Sequence, residues 1–458
     1  MIIGIDDTDS IEGMCTTYLC AVLVAELKIY GEVSTPRLVR LNPCVPFKTR
    51  GNGAVSFEIN VALERVEEVK EVVKARVSEL SEVQAEGTNP GVVFIHDNFL
   101  RTVRIGGESE TAENECIEIL ENFYETAVRG ILRVEQACEI ISKLQFDYFV
   151  LKKKRGLIGA LAAASFLVIQ RGKPDYYDST FELVAYRLRE RWGTSRFIEE
   201  SSVWKADEDT YPLTWDTVDI ENNRLVLAPH SPCPVLFGIR GDSVDAIYKA
   251  YRVIRAEPVE REMLFITNQG TDSHLITATC EETEAEAEAE LQDYLSYVLT
   301  GVVASDPRTI DGGHVVFALT LAGKTGGHIE CIAYEPTKGF RNIIRKLCSG
   351  DKVTVYGSFK NRTINLEKIE LRELNVDIKI EKNPVCEGCG KRMKSAGRSQ
   401  GYRCKRCKTH CSEKEVQIVA REVETGLYEV PAVARRHIAK PLIRVWMEGG
   451  ITNIHLSR

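Results

Sequence analysis

Histidine is scarce in this chain. Of 458 residues 8 are histidine, and the first 229 contain a single one, His96. A histidine-rich two-metal centre, as a metal-dependent phosphoesterase would use, has only this one histidine to draw on in the N-terminal half. Long apolar runs are missing too. No stretch is long enough to cross a bilayer, and the start MIIGIDD lacks the basic-then-apolar pattern of a secretion signal. These absences argue against a membrane role and lead us to expect a cytoplasmic protein. What is present is ordinary for a globular chain, 44% hydrophobic and 28% charged residues. The length suits roughly three domains of ~150 residues, or four if one is small.

Cysteine, in contrast, is plentiful. Nine of the 14 are scattered through the chain, among them Cys15, Cys44, Cys138 and Cys331, and five cluster between 386 and 411. That pattern fits reduced core thiols plus one metal site in a reducing compartment. The cluster reads Cys386-x2-Cys389, then 14 residues, then Cys404-x2-Cys407. Each CxxC offers two thiolates at one corner of a tetrahedron, and four soft ligands select Zn2+. His410 and Cys411 follow too closely to be better ligands.

The net charge of −8 hides an asymmetry. Residues 386–458 carry 15 Lys/Arg against 7 Asp/Glu, a net of +8, so the rest of the chain holds −16. A basic end on an acidic body is suited to meeting phosphates at one surface. A second basic spot is KKKR at 152–155.

Along the first ~130 residues strands and helices alternate, which suggests a sheet covered by helices. In GAVSFEINVAL the residues Val55, Phe57, Ile59 and Val61 share one face, as in a half-buried strand. A second unit runs from about 131 to 280 and carries GLIGALAAASFLVI at 156–169, whose small residues suit close helix packing. EETEAEAEAEL at 281–291 reads as an acidic linker helix. Five short strands follow, with a helical RNIIRKL between the third and fourth, which is the layout of an OB-fold barrel over 281–380. Residues 381–458 would form a zinc ribbon and a basic tail. An OB-fold beside a basic ribbon points to RNA or single-stranded nucleic acid. Alone, it would describe a non-catalytic binding protein.

The N-terminal GIDDTDS adds chemistry. Asp6, Asp7 and Asp9 repel one another unless something positive sits among them. Either the stretch is a solvated turn with Asp9 or Ser10 capping a helix, or its carboxylates serve Mg2+ bound together with nucleotide phosphates. PFKTRGNGAV supplies the complement. Lys48 and Arg50 can neutralise phosphate oxygens, and Gly51 and Gly53 let backbone N–H groups approach. It is not a Walker loop, and a glycine turn into the next strand is the alternative. Taken together the two stretches favour an ATP site.

GIDDTDS with GMCTTYL, RLNPCVPFKTRGNGAVSF, GLIGALAA, SPCPVLFGIRG, YEPTKGFR and the C-terminal CxxC pairs resemble, in order and over essentially the whole chain, the archaeal tRNA(Ile2) 2-agmatinylcytidine synthetases. The resemblance implies a multidomain α/β and α+β chain: a kinase-like domain (1–130), a ferredoxin-like domain (131–280), an OB-fold β-barrel (281–380) and a zinc ribbon (381–458). It implies ATP, Mg2+ and Zn2+, with tRNA(Ile2) and agmatine as substrates and no protein partner. The wobble cytosine O2 would be phosphorylated and then displaced by the agmatine amine at C2, ATP ending as AMP and two phosphates. Asp6, Asp7 and Asp9 match the family's catalytic carboxylates. Thr16 matches its autophosphorylated threonine, although from sequence alone a plain helix first-turn hydroxyl is the favoured explanation; by the same resemblance Lys48, Arg50 and Asn52 would hold phosphates. For the agmatine guanidinium, Asp242 and Asp272 lie in dense polar loops, the alternative being that each only holds its loop. Trp204 and Trp215 are aromatic surfaces for a flipped base or members of the core, and His230 and His274 read as loop hydrogen-bonders.

Overall fold

In the computed structural model the described residues are all but 50, 103–109, 278–290, 322–327, 376–378, 398–399, 419–420, 450–452 and 458. The expected linker helix at 281–291 and Arg50 therefore lie outside the described residues, the linker but for Leu291.

One ten-stranded sheet carries the first two units. The elements that position the site are β1 (Ile2–Asp6), α1 (Thr16–Leu27), β2 (Arg37–Arg40), β3 (Gly53–Val61), α2 (Val66–Leu80), β4 (Gly91–Ile95), α3 (Glu110–Arg129), β5 (Asp147–Val150) and α4 (Gly156–Gly172). They are followed by β6 (Thr180–Arg187), α5 (Glu200–Thr210), β7 (Val235–Gly241), α6 (Val244–Val253) and β8 (Val259–Thr267). The strand order is β5-β4-β1-β3-β2-β8-β6-β7, with Thr214–Trp215 at the edge. Neighbours are antiparallel except β2 and β8, whose parallel pairing joins the two units edge to edge.

Alternation in β1 sorts its side chains into two cores. Ile3 and Ile5 pack with α1 and α2, while Ile2 packs with α3 and α4. The expected half-buried β3 is buried on both faces over its first half, Ala54 to Phe57, because α4 covers what would have been its wet side, while Asn60 stays exposed. Ser56 there donates its hydroxyl to the Ala163 carbonyl at 2.6 Å, so a polar side chain is tolerated. The small residues of α4 serve this contact. A Cβ on Gly4 would lie 2.0 Å from the Ala160 carbonyl oxygen. Both β5, paired to β4, and α4 thus belong to the first sheet region, although they follow residue 131.

The barrel is closed by β9 (Ser296–Val303), β10 (Val315–Leu321), β11 (His328–Ala333), β12 (Lys352–Lys360) and β13 (Thr363–Glu373), with α7 (Phe340–Ile344) between its third and fourth strands. Pairing runs β9-β10-β11-β13-β12 and back to β9. Beyond the ribbon the chain is not a free tail. β14 (Gly426–Glu429) adds to β13, and α8 (Leu442–Glu448) follows. Arg435, Lys440 and Arg444 of this segment pair with Asp216, Asp178 and Asp242 of the second unit.

Candidate active site and metal centre

Between the first unit, the second unit and the C-terminal segment lies a cavity of ≈ 1230 Å³. Asp6, Asp7, Asp9, Thr16, Lys48, Gly51, Asn52 and Gly53 all line it. The two N-terminal motifs, some forty residues apart, thus converge as expected. The aspartates follow a strand end, but that strand has antiparallel neighbours on both sides. The site is accordingly not the switch point of a parallel sheet. It is shaped by α4, which crosses the end of β1 closely enough that a Cβ on Gly159 would lie 1.9 Å from Asp6 Oδ2.

Capping does not explain the carboxylates. The helix starts at Thr16, its N-cap is Cys15, and Ser10 bonds the backbone of Glu12 and Gly13 instead. Burial, then Asp7 and Asp9, pushes the Asp6 carboxyl well above the usual range. Asp7, at φ +60°, is also raised by burial and is opposed by Arg155, whose Nε donates to Asp7 Oδ2 at 3.1 Å. Such a pocket favours an incoming cation. The oxygen donors fit a hard ion, and the ordinary requirement is one or two carboxylates plus substrate phosphates. Thr16 is buried, and its hydroxyl accepts a bond from Thr8 Oγ1 at 3.0 Å, inside the aspartate loop.

The glycine-containing loop is held at its base by two asparagines. Asn52, at φ +47°, donates to the Asn42 carbonyl at 2.8 Å, and Asn42 donates to Gly130 at 2.8 Å and to Tyr294, just before β9, at 3.0 Å. Lys48 folds back onto the Pro43 carbonyl of its own loop.

Sequence reasoning missed the cavity's other charged wall. Arg40, Glu182, Arg240, Arg435 and His437 line it. Glu182 accepts from Arg240 Nε at 3.2 Å and lies 3.8 Å from Arg40. Arg435 bonds Asp216, and Glu429 is 2.7 Å away. His437, exposed to the cavity beside Arg240 and Arg40, has its pKa pushed well below normal, by Arg240 first. Arg155 closes the KKKR run, which was the one available signal. The rest come from four distant segments and share no local pattern.

The carboxylates expected to meet a guanidinium are occupied elsewhere. Asp242 accepts from Trp215 Nε1 at 3.0 Å and Arg444 Nε at 2.7 Å. Asp272 accepts from Lys368 and from the Lys440 backbone. Neither lines the cavity; both fasten the C-terminal segment and the barrel to the second unit. Trp215 is buried core, Trp204 is half-buried against the same layer, and His274 is buried against Glu367 at 3.0 Å. His230 is exposed at the cavity.

Cys386, Cys389, Cys404 and Cys407 bring their sulfurs within 4.8 Å of one another, the one such group of His, Cys, Asp or Glu among the described residues. Gly390 N bonds the Cys386 carbonyl and Lys408 N the Cys404 carbonyl, so each CxxC closes as a tight knuckle. The donor set fits Zn2+. His410 and Cys411 sit on the third strand of the small sheet, outside the group.

Three family models match the chain: the TiaS TCKD domain over 2–62, the TiaS FLD domain over 154–274 and the TiaS C-terminal zinc ribbon domain over 383–423. The tRNA(Ile2) 2-agmatinylcytidine synthetase TiaS of Methanosarcina mazei is 47% identical over 445 residues, 97% of each chain. That of Archaeoglobus fulgidus is 46% identical over 98% of each. A crystal structure described as the TiaS-tRNA(Ile2)-ATP complex superposes with a TM-score of 0.84 at 44% identity, covering 100% of this chain and 99% of that one. One described as the TiaS-tRNA(Ile2)-AMPCPP-agmatine complex gives 0.81 at 42%, with the same coverage.

Proposed function

This chain belongs to the tRNA(Ile2) 2-agmatinylcytidine synthetase family, and we propose that it makes agmatidine at the wobble cytidine of tRNA(Ile2), using ATP and agmatine in the cytoplasm. It acts as a ligase that forms a C–N bond after a tRNA-kinase step. The supporting observation is the meeting of the aspartate loop, Thr16 and the KTRGNG loop in one cavity. That cavity exceeds the usual volume of a small-molecule pocket, ~300–1,000 Å³, as a nucleotide together with a flipped base requires.

In this reading the kinase-like part includes residues 2–62 and, through its packing on β1 and β3, α4; β6, β7 and β8 with α5 and α6 form the ferredoxin-like part, the barrel is an OB-fold and 383–423 the zinc ribbon. Asp6, Asp7 and Asp9 would hold Mg2+, which when bound supplies charge neutralisation for phosphoryl transfer. Lys48, Arg50 and Asn52, with the backbone at Gly51 and Gly53, hold phosphate oxygens. Arg155, freed from Asp7, joins them. Thr16 receives a phosphoryl group. The agmatine guanidinium goes to a carboxylate that lines the cavity, and not to Asp242 or Asp272, which lie outside it. Cys386, Cys389, Cys404 and Cys407 bind one structural Zn2+.

The test is incubation with tRNA(Ile2) transcript, ATP and agmatine, followed by mass analysis of the wobble nucleoside. Cytidine converted to its agmatine conjugate, with AMP formed in step, is the expected result. RNA binding without either product would leave a non-catalytic nucleic-acid-binding protein.

A further inference from the structure

Arg436 lies in the C-terminal segment, almost 400 residues from the nucleotide loop, and yet bonds it. Its Nη1 donates to Cys44 Sγ at 2.9 Å, its Nη2 to Ser358 Oγ of β12 at 2.9 Å, and its Nε lies 3.2 Å from Glu367 Oε1 of β13. The fork therefore spans two barrel strands and the first turn of the 42–53 loop. The same loop touches the barrel twice more, through Asn42 to Tyr294 and through Cys44 to Ser296 at 3.5 Å. Glu367 is fixed from its other side by His274. Although burial raises its pKa, Arg436, His274 and Lys368 hold it at about 2, so the acceptor stays ionised. A guanidinium fork imposes direction as well as charge, which lysine cannot reproduce.

We propose that Arg436 is a positioning residue for ATP: by docking the 42–53 loop on the barrel, it aligns the loop's phosphate-holding groups and ties the nucleotide site to the RNA-binding half. Arg436 itself touches no substrate. The proposal rests on the reading of Lys48 as a phosphate ligand, and the experiment separates the two.

ATP KM, kcat and tRNA affinity are measured for the full-length wild type, Lys48→Ala, Arg436→Ala, Arg436→Lys and Lys48→Ala/Arg436→Ala, each with a melting curve. Lys48→Ala should raise the ATP KM about tenfold, the loss of one charge-assisted bond. Arg436→Ala should raise it by a similar factor, with kcat within about threefold and tRNA affinity within about twofold, because a displaced loop weakens its hold on phosphate alone. Arg436→Lys should recover melting but only part of the KM. The double variant should resemble the worse single one, since both act through one loop. If Lys48→Ala leaves KM unchanged, the phosphate reading falls and this proposal with it. If Lys48→Ala raises KM and Arg436→Ala does not, or the two effects multiply, Arg436 is only a packing residue and the proposal alone is overturned.

Discussion

Replacing Gly159 by alanine isolates the contact between α4 and Asp6. In an open helix interior this change stabilises by roughly 1 kcal/mol, because alanine loses less backbone freedom. Here the new Cβ would lie 1.9 Å from Asp6 Oδ2, 2.5 Å from its Cγ and 2.9 Å from its Cβ. The whole carboxyl group is in the way, not its tip, and Asp6 is held at the end of a central strand. Either α4 lifts from β1 or Asp6 rotates. Overpacking of this kind costs about 1–3 kcal/mol, which cancels or exceeds the propensity gain. A catalytic carboxylate displaced by about 1 Å should lower ATP turnover on the order of 100-fold. Gly172, the last residue of the same helix, has nothing within 4 Å of its would-be Cβ and is the control. The assay is tRNA- and agmatine-dependent ATP consumption beside a denaturant melt. Gly172→Ala should match wild type in turnover. Gly159→Ala turning over ATP within twofold of wild type and melting no lower would refute the reasoning.

Three further outcomes come from the charges. Because Asp6 is raised above the usual 3.8, the folded chain holds a proton there that the unfolded chain releases, so ligand-free stability should fall as pH rises from about 4 through the folded value. Denaturant midpoints of Asp6→Asn should lose that slope while turnover is abolished; an unchanged slope would count against the buried carboxylate. Metal analysis should give one zinc per chain, and Cys404→Ser should lose it together with tRNA affinity while ATP still binds. Replacing exposed Lys391, Lys405 and Lys408 with alanine should lower the salt slope of tRNA binding by roughly 0.7–0.9 for each phosphate no longer neutralised. As the control, Arg444→Ala should leave that slope alone and cost about 1–3 kcal/mol of stability, because Asp178 and Asp242, both partly exposed, lose this partner but keep Lys440 and Trp215.

What could be read from the sequence depended on range. Metal knuckles are local: four residues close each one, so Cys386, Cys389, Cys404 and Cys407 announce themselves by spacing. Barrel strands and the intervening helix are likewise set by short apolar runs and turns. The aspartate and KTRGNG motifs, which line one cavity, stood out in the sequence because each packs its residue types densely. Nothing local marks Glu182, Arg240 or Arg435 as neighbours, since β6, β7 and the C-terminal segment bring them together only through sheet pairing and docking. Asp242 and Asp272 misled for the same reason. Their loops look like a polar site, and the partners that occupy them, Arg444 and Lys368, are 202 and 96 residues away.

The charge asymmetry shows how pairing alters a count. Fifteen basic residues beyond 385 suggested one RNA-binding end. Five of them, Arg421, Arg435, Arg436, Lys440 and Arg444, instead pair with Asp351, Asp216, Glu367, Asp178 and Asp242 in the body. These are fasteners, and they explain why the body can be so acidic without repelling itself. Cutting the chain near 380 would remove both the ribbon and the clasp that closes the cavity, leaving Asp216 with only Arg240 at 3.9 Å and Glu367 without Arg436. Loss of tRNA binding in such a truncation would therefore say nothing about where RNA sits. Excising the ribbon alone, 383–418, and rejoining β13 to β14 keeps Arg435, Arg436 and Arg444 in place. If the ribbon's charge is what meets RNA, that protein keeps its fold and its ATP affinity and loses most of the salt dependence of tRNA binding. An unchanged salt slope would move the RNA-binding surface to the body, with KKKR at 152–155 the first place to look.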